Sequence, residues 1–242
     1  MLLLLLLAVG GVSVYLFVLR GDVAPEQASA SGTTTAGSTS SDDTGGSGTE
    51  LVFTSKKISP AIRKRIEGKS WHTGCPIGLK VLRYVRIPHW NFNGKTELGE
   101  MIVNTKVVKD VKAIFAELYK RKYPIASMRL VDEYHKNGAY ADDWTSIEAN
   151  NTSAFNCRAV TGGTGWSKHS FGRAIDINPI QNPYILNGSV SHKASEQYIA
   201  RKKGPGVLIA GDAFVRAFTS RGWGWGGDWA NPTDLQHFYK DR

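Results

Sequence analysis

The chain has 242 residues, 41% hydrophobic and 10% aromatic, which suffices for one well-buried domain with extensions and excludes a wholly disordered polymer. Its formal net charge of +9 points to an anionic partner. The basic residues are scattered (Arg63-Lys64-Arg65, Lys120-Arg121-Lys122, Arg201-Lys202-Lys203) with no nucleic-acid motif around them, so a solvated basic surface is the plain expectation, and charge alone does not choose between nucleic acid and an anionic bacterial wall as partner.

Residues 1–19 carry no charged side chain. At about 1.5 Å per residue they just span a bilayer's hydrocarbon core, which predicts a transmembrane anchor or signal segment over residues 1–20. A basic start is missing, and the small-residue sequence Ala28-Ser29-Ala30 lies well beyond the apolar run; both favour an uncleaved anchor. Residues 21–50 are dominated by Ser, Thr, Gly and Ala. They cannot bury enough surface to offset their ordering entropy and read as a flexible, disordered tether. Residues 51–242 are then the folded domain. Anchor, tether and domain in that order describe a protein displayed outside the cytoplasm, held to the bacterial cell membrane by its N-terminus or secreted; a monomer is expected.

Within the domain, alternating and aromatic residues over 81–92 predict a strand, and residues 99–104 a second. Val108, Val111, Ile114, Phe115 and Leu118 fall at helical spacing, so residues 107–123 predict a helix stopped by Pro124. Residues 127–134 and 174–177 read as further strands. A short helix is expected over 212–221, with Ala213, Phe214 and Ala217 inward and Gly222 ending it. The Gly- and Trp-rich stretch 223–239 reads as strand and turn. Together these predict an α+β fold, an antiparallel sheet with flanking helices. Cys75 and Cys157 have no partner at C-x-x-C spacing, which argues against a cysteine zinc site. Outside the cytoplasm they suggest one disulfide, worth roughly 4–5 kcal/mol in the chain-entropy model; the alternative is two buried thiols.

Two stretches carry chemistry: residues 167–176, with His169 and Asp176, and Asp234-Leu235-Gln236-His237. Two imidazoles and a carboxylate are a three-ligand zinc set that leaves a position for water, and a second carboxylate nearby supplies a base. The reading is His169, Asp176 and His237 as ligands of Zn2+ and Asp234 as base. Singly, each is more often a satisfied histidine or a turn aspartate; the set carries the argument. The seven-residue spacing of His169 and Asp176 requires a turn between them, for which Gly172 has the backbone freedom, and Ala174 leaves room beside a metal. Asp228 is a rival carboxylate, ranked second because Gly226-Gly227-Asp228-Trp229 reads as a turn. His72, His89, His135 and His192 lack partners at motif spacing and are expected to be structural, His192 least securely because Ser191-His192-Lys193 lies between the two motifs.

The pattern Ser167-x-His169-x-x-Gly172-x-Ala174-x-Asp176, followed by Asp234-x-x-His237, resembles the D-alanyl-D-alanine carboxypeptidase family of zinc peptidases, which shares its fold with the hedgehog signalling domain. Residues 222–229, Ser153-Ala154-Phe155-Asn156-Cys157-Arg158, Asn178-Pro179 and Asn182-Pro183-Tyr184 resemble the branch containing phage-lysin L-alanyl-D-glutamate endopeptidases. The resemblance covers roughly residues 70–240. It implies Arg158 as a substrate-binding arginine, able to meet an oxyanion or a peptide carboxylate, with an ordinary ion pair as the alternative. A Cys75–Cys157 disulfide would hold the Arg158 loop, and Ser167 would support the first ligand's turn. Trp166, Trp223, Trp225 and Trp229 are candidates for either a groove or the core. Where relatives that cleave D-Ala-D-Ala commonly carry Glu as base, this chain has Asp234. The implied activity is therefore zinc-dependent hydrolysis of peptidoglycan stem peptides of the L-alanyl-D-glutamate endopeptidase type. The alternatives are a D-alanyl-D-alanine carboxypeptidase and a non-catalytic wall-binding module.

Overall fold

The computed structural model describes residues 52–135 and 140–241. The expected anchor and tether lie outside them, and among the described residues no helix is long and apolar enough to cross a membrane. The chain opens with β1 (Thr54–Lys57) and α1 (Pro60–Ile66). Ser59 caps α1, its Oγ accepting from Ile62 N at 3.3 Å, and Pro60 stands at the first helical position, where its missing N–H is no loss. A long hairpin follows, β2 (Leu82–Trp90) and β3 (Thr96–Asn104), paired antiparallel from Leu82 opposite Asn104 to Trp90 opposite Thr96. β1 adds to its edge, giving the sheet order β1-β2-β3.

Side chains alternate across this sheet, so its two faces feed two cores. Val85, Ile87, Met101 and Val103 pack with Val111, Ile114, Phe115 and Leu118 of α2 (Val108–Lys120). Leu82 and Ile102 pack on the other side with Ile66 of α1, Leu130, Phe155 and Cys157. The apolar spacing read from the sequence is the buried face of α2, though the helix stops at Lys120 and Lys122 turns with a positive φ before Pro124.

Beyond α2 come α3 (Asp143–Glu148), β4 (Ala174–Asp176), β5 (Tyr184–Leu186), β6 (Ser189–Val190), α4 (Ala213–Thr219), β7 (Gly224–Trp225), β8 (Thr233–Asp234) and β9 (His237–Tyr239). They make two further antiparallel sheets, ordered β4-β9-β7 and β6-β5-β8. The architecture is α+β with antiparallel sheets, as expected. α4 closes the main core over β9, with Phe218 stacked on Phe238 at 3.8 Å between ring centres. Its inward stripe is Val215, Ala217 and Phe218; Ala213 is only half-buried, one residue off the stripe read from the sequence.

The strand expected over 127–134 is not formed. Glu100 N donates to Met128 O at 2.9 Å, while Arg129 N donates to Asn151 Oδ1 at 2.8 Å and Asn151 Nδ2 returns a bond to Arg129 O at 3.0 Å. A buried asparagine thus satisfies backbone groups that a neighbouring strand would otherwise take, and residues 131–133 curl into a 3-10 turn. Cys75 and Cys157 form a disulfide closing 82 residues.

Two stability measurements test this layout. Phe218→Ala, which empties the space between α4 and β9, is expected to destabilise the domain by about 3–5 kcal/mol in urea denaturation; a loss under about 1 kcal/mol would contradict the packing. Replacing Cys75 and Cys157 together by Ser is expected to lower stability by up to roughly 4–5 kcal/mol, read as a fall in thermal midpoint that reducing agent reproduces in the wild type.

Candidate active site

The site is built on the pairing of β4 with β9. Asp176 stands directly opposite His237 and Ile175 opposite Phe238. Ile175 and Phe238 are fully buried and point into the core, so alternation sends Asp176 and His237 together to the opposite face. His237 Nδ1 lies 2.9 Å from Asp176 Oδ1. On its other edge β4 exchanges two backbone bonds with Ser153, Asp176 N donating to Ser153 O at 2.9 Å and Ser153 N to Asp176 O at 3.0 Å.

His169 arrives on a 3-10 turn, Lys168–Phe171. Ser167 starts the turn, its Oγ accepting from His169 N at 3.3 Å, and Gly172 ends it in the left-handed region with φ of 62°. A Cβ on Gly172 would lie 2.8 Å from Asn104 N, and that amide donates to Gly172 O at 2.8 Å. The turn is docked backbone-to-backbone on the end of β3, an approach that glycine alone permits. His169 Nδ1 is 2.5 Å from the Ala154 carbonyl. A carbonyl only accepts, so Nδ1 carries the proton and Nε2 turns its lone pair toward the site.

His169 Nε2 lies 3.2 Å from His237 Nδ1 and 3.2 Å from Asp176 Oδ2. Atoms bound to tetrahedral zinc at about 2.0–2.1 Å stand roughly 3.3 Å apart, so these three buried side chains have the spacing and donor types that zinc takes. Asp234 lies beside them at the end of β8, with Oδ1 buried and without a hydrogen-bond partner. Gly226 backs it closely: a Cβ there would fall 2.5 Å from Asp234 O. All four residues line one cavity of about 830 Å³, which Arg158, Trp144, Trp166, Tyr184, His192 and Trp229 also line.

The charges are tightly coupled. Burial alone would raise the Asp176 carboxyl, but the two imidazoles outweigh it and hold it far below the usual range. Burial alone would lower His169, and Asp176 reverses that, so its imidazole is raised. Asp234 goes the other way: burial first, then repulsion from Asp176, push its carboxyl up from 3.8 to about 6.

The structure thus brings His169, Asp176, His237, Asp234 and Arg158 to one cavity. Arg158 is held in an ion pair, Nη2 to Asp143 Oδ2 at 2.5 Å. Asp228 is exposed and outside the cavity lining. Of the tryptophans, Trp166 and Trp229 line the cavity half-exposed, while Trp223 and Trp225 are core residues. His89 is buried and His72 and His135 lie outside the lining, whereas His192, expected to be structural, is on the cavity wall. Asp143 and Trp144 went unread in the sequence. Their only local signal is the Asp142 cap, whose carboxylate accepts from Trp144 N at 3.1 Å, and a cap says nothing of what the helix faces.

Residues 161–240 match the family model described as D-alanyl-D-alanine carboxypeptidase. The matched stretch contains His169, Asp176, Asp234 and His237 and begins after Arg158. It bears out the resemblance to that zinc peptidase family. No curated protein and no solved structure matches the chain.

The raised carboxyl has a consequence for stability. A group whose folded pKa lies above its unfolded one contributes stability below about 3.8 that is lost as pH rises through about 6. In the metal-free chain Asp234→Asn is therefore expected to be more stable than wild type by about 1–3 kcal/mol at pH 8 and equal to it near pH 3. Urea denaturation at both pH values, with chelator present, checks this.

Proposed function

We propose that the chain is a zinc peptidase that hydrolyses peptidoglycan stem peptides, acting as an L-alanyl-D-glutamate endopeptidase outside the cytoplasm against an anionic wall. The observation that carries the reading is the group His169, Asp176 and His237, with ligand atoms within 4.8 Å of one another, opening on a cavity that Asp234 also lines, its buried Oδ1 without a hydrogen-bond partner. The family match supports a metallopeptidase of peptidoglycan in general.

His169, Asp176 and His237 are the residues proposed to hold zinc, which when bound polarises a carbonyl and acidifies the attacking water. Asp234 then takes the water's proton as the carbonyl is attacked and passes it to the leaving amine. Its carboxyl is poised by burial, and a bound cation would draw it back toward the ionised form a base needs. The His169 imidazole is oriented by the Ala154 carbonyl, which fixes the proton on Nδ1 and leaves Nε2 to the metal. Arg158 donates to the oxygen that gains charge, or to a substrate carboxylate. The Asp234 side chain, shorter than Glu, favours the endopeptidase branch of the resemblance.

The second reading is a D-alanyl-D-alanine carboxypeptidase. It is favoured by the description of the matching family and by Arg158, a cation on the cavity wall able to dock a terminal carboxylate. A wall-binding module without catalysis has no use for a second carboxylate, with one oxygen buried and unbonded, beside a ligand set.

The test is mass spectrometry of purified peptidoglycan digested by the zinc-loaded protein. New N-terminal D-Glu on stem peptides is expected. Loss of one terminal alanine would move the enzyme to the carboxypeptidase reading, and no cleavage on several wall types would favour a binding module. Asp234→Asn is expected to retain zinc and lose activity by about a hundredfold or more, whereas His169→Ala loses the metal itself, measured by zinc content after dialysis. Full activity in Asp234→Asn would remove the base from the scheme.

A further inference from the structure

Arg158 is fixed at its backbone by the same turn that carries His169. Its N–H donates to Ser170 Oγ at 2.9 Å, and that hydroxyl donates to Arg158 O at 2.7 Å. Ser170 is fully buried and next in sequence to His169, and Cys157 on the other flank is tied to Cys75. The side chain is long and would sample many rotamers if left to solvent. Here its Nη1 donates to Ala159 O at 3.0 Å and its Nη2 to Asp143 Oδ2 at 2.5 Å. Asp143 is itself held, because its Oδ1 accepts from Asn156 Nδ2 at 3.2 Å, and Asn156 is a buried amide at 2% exposure. A relay therefore runs from the buried Asn156 through Asp143 to the guanidinium. Asp143 and Arg158 both face the cavity shared with the candidate ligands.

We infer that Asp143 is a positioning residue that holds Arg158 in register with the His169–Asp176–His237 group, so that the guanidinium meets an anionic oxygen of the substrate without first having to be ordered. This rests on the proposed peptidase reading. As an ordinary half-exposed ion pair, at 27% and 31% side-chain exposure, it would matter little to folding. As a positioning pair it matters to turnover, because a guanidinium displaced by an ångström no longer meets the charge it stabilises. A guanidinium has five N–H donors and these contacts use two, so donors remain for the substrate. Asp143 and the Ala159 carbonyl each take one N–H of a different terminal nitrogen, and Nε has no hydrogen-bond partner.

The experiment uses the full chain, zinc-loaded, on the stem peptide that the digestion assay identifies. Asp143→Ala is expected to lower kcat/KM by about tenfold to a hundredfold. Asp143→Asn, whose amide oxygen still accepts from Nη2 while its NH2 no longer accepts from Asn156 Nδ2, is expected to fall between wild type and Asp143→Ala. In an Arg158→Ala background Asp143→Ala is expected to have no further effect, since its role runs through Arg158. A fall in kcat assigns the met oxygen to the reacting carbonyl; a rise in KM assigns it to a substrate carboxylate. Either supports the inference.

Three results would overturn it: an Asp143→Ala enzyme as active as wild type or more so, losses that multiply independently of Arg158, or an Asn variant no better than Ala. A second measurement needs no turnover and separates this inference from the peptidase reading. In nitrogen-15 NMR the Arg158 Nη2–H signal, from the group that donates to Asp143, is expected to be dispersed and slow to exchange in wild type and Asp143→Asn, and averaged in Asp143→Ala at unchanged thermal midpoint. If wild type shows no peptidase activity, the function reading fails while this signal still decides the positioning. If the signal is as protected in Asp143→Ala, the positioning fails whatever the activity.

Discussion

Everything at the site depends on the antiparallel register of β4 and β9. Because Asp176 pairs with His237 and Ile175 with Phe238, burying the second pair obliges the first to share the opposite face. A slip of one residue would turn both polar side chains into the core and both apolar ones into the cavity. The core beneath thus acts on the chemistry: Phe218 of α4 stacks on Phe238 and fixes where His237 can be. His169 enters from a different element, but it is referred to the same frame, since its turn is bonded to the end of β3 through Asn104 and Gly172.

The cavity concentrates groups that a stable protein would keep apart. Asp176 is stabilised as an anion by two imidazoles, and Asp234 beside it is destabilised as an anion by burial and by Asp176 itself. Two carboxylates in one pocket with opposed shifts are suited to different roles, which is why the proposed function makes one a ligand and the other a proton acceptor. The cost falls on the fold, and a cation in the site would offset it. Such local strain against stability is common where function is built in.

The legible part of the site was short-range. Ser167-x-His169-x-x-Gly172 and Asp234-x-x-His237 each lie within a few residues, and their spacing carries the turn and strand geometry that their chemistry needs. The amphipathic face of α2 and the paired strands β2 and β3 were legible for the same reason, since periodicity is local. Residues 127–134 failed because their β-like composition could not reveal that Asn151, over twenty residues away, would take up their backbone groups. Asp143, Trp144 and His192 were not legible as cavity residues. No spacing rule connects them to Arg158 or to His169.

By itself the sequence determined which residues are candidates for the chemistry, where a turn glycine must stand between His169 and Asp176, and that the domain mixes helices with antiparallel strands. The tertiary structure alone decided which side of each strand those residues face and what surrounds them: that Asp176 and His237 meet across a strand pair, that Asp228 is left outside, that Trp223 and Trp225 belong to the core while Trp166 and Trp229 face the cavity, and that Asp143 closes on Arg158. The reason is physical. Propensity, capping and spacing act between residues a few positions apart, whereas burial, electrostatic coupling and hydrogen-bond partnership at this site join segments up to about seventy residues apart, and those are set only when the core packs.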